Sequence, residues 1–234
     1  MLLSLGAGLI SQLYAEDGAS AKVAKTYLAE GEIDLIQFLP PAPANDSAVT
    51  KAEIQELLNW QAQRTPDQIA FAQADANITV FRFADILGPS FTAERLPFLN
   101  KFFQDCVVNV GTLTNAAKAY YHRTRPYLLD TNIHPVVDKP TNASYPSGHS
   151  TAGHFFAILL ANMVPEKATE LYARGDSFAF NRIIGGVHYA TDIEAGKLSA
   201  TLIAARMFTS TEFDKDFLKA RSELRKVLGL PETK

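Results

Sequence analysis

Residues 141–164 read TNASYPSGHSTAGHFFAILLANMV. Turn chemistry at Pro146-Ser147-Gly148 runs straight into a long apolar stretch, which predicts a helix over about 150–163. His149 stands where the loop becomes the helix. Two readings are open here. In one, Ser147 or Ser150 caps the helix and His149 is merely exposed. In the other, the helix start is an anion site: Gly148 lets backbone approach a ligand, and free N–H groups and the positive dipole end point at the loop. Ser147 then adds a hydroxyl, and His149 can give a proton to a departing oxygen.

Helical spacing recurs on both sides of this stretch. In AVTKAEIQELLNWQAQRT, the residues Ile54, Leu57, Leu58 and Ala62 fall on one face, with Asp46 or Ser47 as cap. Thr65-Pro66-Asp67 begins another helix, since proline suits a first turn. Residues 83–125 read as helix on both sides of Gly88-Pro89, with two helices or one interrupted helix from about 93 to 124. Pro126, Pro135, Pro140 and Pro146 make 126–147 irregular. Further helices are expected over about 165–180 and 188–208, and a charged one over 213–228. The segment LPPAPANDSAV (39–49) should be extended. Alternating strand patterns are hard to find, so the expected fold class is all-α, with the core made by the helices from about 93 to 208.

The 234 residues are 47% hydrophobic and 20% charged, with net charge −3 and pI near 6.0. Such a chain can bury a sizeable core in one domain or two. The balance of charge gives no reason to expect a nucleic acid polymer or an anionic membrane as partner. The body holds no apolar run of about 18 residues, so no stable membrane insertion is expected. The start, MLLSLGAGLISQLYAEDGASA, has an apolar run, Leu2 to Tyr14, and an A-x-A-like site at Ala19-Ser20-Ala21, but no basic region before them. It reads as a secretory remnant over 1–21, leaving 22–234 as the catalytic helical domain; a helix of the folded protein is the alternative. The lone Cys106 lies among apolar residues and reads as a small buried hydrophobe.

Three clusters carry chemistry. Lys118 and Arg125, seven positions apart, are expected on one helical face about 10 Å apart, with Pro126 ending the helix at Arg125. Alone, they are two solvated cations. The loop at 145–149 is the second cluster. The third is Arg182, His188 and Asp192, with Gly185-Gly186 breaking the helix between Arg182 and His188. His188 then opens a helix and Asp192 follows one turn later, where its carboxylate can fix the imidazole tautomer. Alone, this is an ordinary polar pair. Taken together, three cations, a hydroxyl, a helix start and two histidines suit a tetrahedral oxyanion, and a phosphoryl group in flight most of all.

The order K-x6-R-P, P-S-G-H, R-x5-H-x3-D resembles the signature of the type 2 phosphatidic acid phosphatase superfamily. YHRTRPY, ASYPSGHSTAG, ARGDSFAFNRIIGGVHYATDIEAGK and the proline-rich LPPAPANDS resemble the bacterial class A non-specific acid phosphatases in particular. The resemblance implies a helical bundle of the acid phosphatase/vanadium haloperoxidase type, periplasmic or secreted, with no cofactor and no metal. It implies an acid phosphatase acting on small-molecule phosphate monoesters of broad range through a phosphohistidine, with phosphotransfer to alcohols as a side activity and homo-oligomers by precedent. His188 would be the nucleophile, oriented by Asp192. His149 would protonate the leaving group and then activate water. Lys118, Arg125, Arg182, Ser147 and the Gly148 N–H would hold the phosphoryl oxygens.

Tyr145 and Tyr189 flank motif positions and are candidates to line the entrance. Asn181 stands where the pattern has Ser, and Tyr189 where it commonly has Trp, while His122, His134 and His154 match no motif position. Lipid phosphate hydrolysis, vanadate-dependent haloperoxidase chemistry and simple phosphate binding are the alternatives. A binder needs no oriented nucleophile, which the pairing of His188 with Asp192 supplies.

Overall fold

A helix that is apolar on every side has to lie at the centre of a protein. Residues 148–163 are such a helix. In the computed structural model, which describes residues 24–29 and 31–232, α6 (Gly148–Met163) is the axis around which four other long helices pack. The reading of residues 1–21 lies outside the described residues. Among those residues there is no β-strand.

Chain order is α1 (Ala48–Gln63), α2 (Pro66–Ala74), α3 (Ala84–Leu87), α4 (Pro97–Tyr121), α5 (Pro126–Leu129), α6, α7 (Ala168–Ile184), α8 (Ala190–Met207) and α9 (Thr211–Leu228). Helices α7 and α8 flank α6, and α4 and α9 also pack against it. Phe155, Phe156, Leu159 and Leu160 of α6 are fully buried. Each contributes about 1.5–3 kcal/mol by leaving water. Close approach of the helices depends on glycine. A Cβ at Gly153 would sit 2.7 Å from Phe178 Cδ1 of α7, and one at Gly196 of α8 would sit 2.7 Å from Ser147 O.

Four expectations need correction. The core is not confined to 93–208: Phe213, Phe217, Ala220 and Leu224 of α9, and Tyr27, Leu28, Leu35 and Leu39, belong to it. The charged helix is amphipathic, and its apolar stripe is buried. The helix expected from Ala93 begins at Pro97, and α3 before it has only four residues. Gly88, with φ +91, and Pro89 set the break between them.

More important for the site, α4 stops at Tyr121, where His122 caps it in the left-handed region at φ +50. Arg125 is therefore not on the helix of Lys118. The backbone leaves the helix early because Arg123 O accepts from Ser144 N at 2.9 Å, tying this stretch to the loop before α6. Arg125 sits on extended backbone at the start of α5. Likewise α8 begins at Ala190, two residues after His188. Gly185 and Gly186 end α7 as expected, Gly186 at φ +74.

Candidate active site

The loop at 144–147 and the turn at 185–189 meet where α4, α6, α7 and α8 end or begin. Ser147 is the N-cap of α6: its Oγ accepts from Ser150 N at 3.2 Å. Its hydroxyl proton remains to donate. Gly148 is the first helical residue, and a Cβ there would meet only Thr114 Oγ1, at 3.9 Å. The Tyr145–Pro146 bond is cis.

His188 is buried with both ring nitrogens engaged. Nδ1 lies 3.0 Å from Asp192 Oδ2, and Nε2 lies 2.8 Å from Arg125 Nη1. A guanidinium only donates and a carboxylate only accepts. The proton therefore sits on Nδ1, and the lone pair is on Nε2. His149 has the opposite arrangement. Its Nε2 is 2.9 Å from Ala76 O, a pure acceptor, so Nε2 carries the proton and Nδ1 has the lone pair.

Three cations surround the histidines. Lys118 Nζ donates to Ala143 O at 2.6 Å and Ser144 O at 3.1 Å, and among the described residues it makes no salt bridge. Arg125 donates to Asn142 O, Asn142 Oδ1 and Val187 O at 2.8–3.0 Å. Arg182 is 2 % exposed, and among the described residues its Nε and Nη1 have no partner. Buried donors are nearly always paired, so these two N–H groups are set for an acceptor that the described residues do not provide.

The cost of crowding these charges appears in their titration. Burial first, then Arg125, pushes Lys118 down to about 7. Burial and Arg125 bring Arg182 down to about 10. Burial lowers Arg125 as well. Both histidines are held well below the ordinary imidazole value, by burial first and then by the neighbouring cations. Asp192 does not neutralise the cluster, because its Oδ1 is already paired with Arg123 at 2.7 Å. The surplus positive charge suits a dianion.

All seven residues expected to do chemistry or hold phosphate on sequence grounds, together with the Gly148 backbone, meet in this region. The tyrosines do not line an entrance. Tyr145 is 2 % exposed, edge-on to Tyr121, and its hydroxyl donates to Pro40 O at 2.7 Å. Tyr189 is fully buried with its ring under the Arg123 guanidinium, 3.9 Å from charge centre to centroid. Its backbone is extended, so its ring faces away from its neighbour His188.

Asn181 does not aim at the oxyanion region either. Its Nδ2 donates to Asp75 Oδ2 at 2.7 Å, and Asp75 also takes Arg174 and Arg82. That cluster pins the end of α2, whose next carbonyl, Ala76 O, holds His149. His154 lies outside the site, between Ser150 O and Asp176.

Sequence reading missed Arg123, Glu53, Ser144, Asn142 and Asp75. Ser144 Oγ donates to Asp192 Oδ2 at 2.5 Å. Arg123 Nη2 donates to Glu53 Oε2 at 2.7 Å. The available signal was Glu53 itself, a carboxylate that shares the buried face of α1 with Thr50 and Leu57.

Known proteins resemble this chain in sequence and fold. The PAP2 superfamily profile matches residues 105–215. The non-specific acid phosphatase of Salmonella typhimurium is 32% identical over 196 residues, covering 80% of this chain and 78% of the relative. The acid phosphatase of Zymomonas mobilis is 28% identical over 202 residues, covering 82% and 76%. Among solved structures, a bacterial vanadium-dependent iodoperoxidase aligns with TM-score 0.56 at 20% identity, over 74% of this chain and 51% of the other, a likeness of fold. Among the described residues no helix is long and apolar enough to cross a membrane. With the three motifs gathered at one buried cationic site and a relative sharing a third of its residues over most of both chains, the protein belongs to the PAP2 superfamily, among its non-specific acid phosphatases.

Proposed function

We propose that this protein hydrolyses small phosphate monoesters through a covalent phosphohistidine at His188 Nε2. The observation that carries the reading is the state of His188: neutral, its Nδ1–H held by Asp192, its Nε2 lone pair turned toward Arg125, with Lys118 and Arg182 as further cationic neighbours. In the first step Nε2 bonds to phosphorus and the P–O bond to the alcohol breaks. Protonated His149 gives its Nδ1 proton to the departing oxygen. In the second step His149 takes a proton from water, the water oxygen bonds to phosphorus, and the P–N bond breaks to release inorganic phosphate.

The three cations, Ser147 Oγ–H and the Gly148 N–H hold the equatorial oxygens, where charge collects. Arg125 must release Nε2 before attack, and a phosphoryl oxygen is the acceptor that replaces it.

The electrostatics give the direction of the pH dependence. His188 is held low, so its lone pair survives into mild acid. His149 is held low by burial and by the same cations, and a bound dianion counters those cations and favours its protonated form. An alcohol in place of water in the second step gives phosphotransfer. We further place the enzyme in the periplasm or outside the cell, on the signal-like run at residues 2–14.

The test is turnover of p-nitrophenyl phosphate across pH, with labelling by 32P substrate stopped in alkaline SDS, where a phosphohistidine survives. Wild type should release phosphate in mild acid and retain acid-labile label. His188→Ala should lose both, by a factor of at least about 10³ in kcat. A folded His188→Ala enzyme that keeps most of its activity would show the covalent route to be wrong.

A further inference from the structure

The nucleophile's carboxylate has a support of its own. Asp192 Oδ2 takes three donors: His188 Nδ1 at 3.0 Å, Tyr189 N at 3.0 Å and Ser144 Oγ at 2.5 Å. Its Oδ1 takes one among the described residues, Arg123 Nη1 at 2.7 Å. That single bond opposes rotation of the carboxylate about Cβ–Cγ.

Arg123 is itself locked. Nη1 also donates to Thr191 Oγ1 at 2.7 Å, and Nη2 donates to Glu53 Oε2 at 2.7 Å and Thr50 Oγ1 at 3.2 Å. The guanidinium carbon stands 3.9 Å from the centroid of the Tyr189 ring. The side chains of Arg123, Glu53 and Asp192 are at most 7 % exposed. Glu53 closes the ring: its other oxygen, Oε1, accepts from Thr191 N at 2.6 Å and Thr191 Oγ1 at 2.7 Å, in the first turn of α8.

The charges alternate along the path: Glu53 negative, Arg123 positive, Asp192 negative, and then the imidazole that gains positive charge when Nε2 bonds to phosphorus. Among the described residues, the side chains of Arg123 and Glu53 bond to Thr50, Thr191, Asp192 and each other, and not to Lys118, Arg125, Arg182 or Ser147.

We propose that Arg123 and Glu53 are positioning residues for the nucleophile, fixing the Asp192 carboxylate so that His188 presents Nε2 in line with phosphorus. This assignment rests on the phosphohistidine reading. It makes α1, otherwise remote from the site, part of the catalytic apparatus through one side chain. It also accounts for a buried Glu–Arg–Asp series, since three desolvated charges are retained only where each is paired.

The test uses Arg123→Lys, which keeps the charge and loses the planar fork, and Glu53→Gln, which is isosteric. For each, kcat, KM and inhibition by inorganic phosphate are measured, together with the low-field NMR resonance of the His188 Nδ1 proton. The expected result is a fall in kcat of about 10- to 100-fold, by analogy with lost outer-shell support of histidine ligands. The phosphate inhibition constant should stay within about twofold, because the clamp is untouched. The low-field proton should shift or broaden in both variants.

Asp192→Asn combined with Arg123→Lys should be no slower than Asp192→Asn alone, since the two act in series. The assignment is overturned if a folded variant keeps kcat within twofold of wild type. It is equally overturned if kcat and phosphate affinity fall together, which is the signature of general disruption. Should Arg123→Lys fail to fold, Glu53→Gln carries the test. If wild type forms no phosphoenzyme, the phosphohistidine reading has failed instead, and the proton resonance still reports whether the support exists.

Discussion

Lys118 is buried with two guanidiniums for neighbours, and burial first, then those like charges, push it down to about 7. Below that pH it carries its charge, and above it the clamp is one cation short. The change belongs to the free enzyme, so kcat/KM should fall as pH rises through about 7. In Lys118→Arg the guanidinium does not titrate there. The alkaline limb should then move up by at least one pH unit even though the longer, planar group lowers the maximal rate. An unmoved limb in the variant would assign it to another group.

At this scale the sequence was most legible where function is written in adjacent or helically spaced residues: Pro146 to His149, and His188 with Asp192. It was least legible where a partner comes from far along the chain. Glu53 meets Arg123 across 70 positions, and Asp75 meets Asn181 across 106. Nothing local distinguishes such a carboxylate from a solvated one except its neighbours on the helical face.

Helices were recognisable as elements, and their ends were not. Apolar runs and capping residues announce α1, α2, α6 and α9, but α4 ends where a tertiary hydrogen bond from Ser144 claims the Arg123 carbonyl, and no propensity encodes that. Packing between elements carries the site as well. Gly196 of α8 lies so close to α6 that a Cβ would stand 2.6 Å from Ser150 Cβ and 2.7 Å from Ser147 O. Backbone cannot yield as a flexible side chain can. Gly196→Ala should therefore cost about 1–3 kcal/mol by overpacking, and should lower kcat by displacing the loop that carries Ser147 and His149. Gly111 in α4 is the control, because a Cβ there meets nothing within 4 Å. Gly111→Ala should leave kcat alone and stabilise by about 0.4–1 kcal/mol. Thermal melting and kcat on both variants decide the matter. Equal behaviour of the two would mean that the α6–α8 approach does not hold the loop.

Across the molecule, the phosphate clamp and the stability of the fold are opposed. Lys118, Arg125 and Arg182 are all at most 5 % exposed, and two donors of Arg182 have no partner among the described residues. Each is a desolvated charge beside like charges, which lowers stability until an anion arrives. The linkage for Lys118 has a definite sign. Its folded value, about 7, lies below the ordinary 10.5, so the unfolded chain binds the extra proton between those values, and this group's contribution to stability rises with pH across that window. An anion that favours the charged form reverses the penalty. Inorganic phosphate at 100 times its Kd should add about 2.7 kcal/mol. For a chain of this size that is a rise in Tm of about 5–10 °C. Arg182→Met removes the two donors that lack partners among the described residues while keeping an apolar stem of similar length. In phosphate-free buffer it should melt at or above the wild-type temperature, and phosphate should then raise its Tm by far less than it raises that of wild type. A variant that melts lower without phosphate and keeps the full phosphate shift would place Arg182 in the scaffold and outside the clamp.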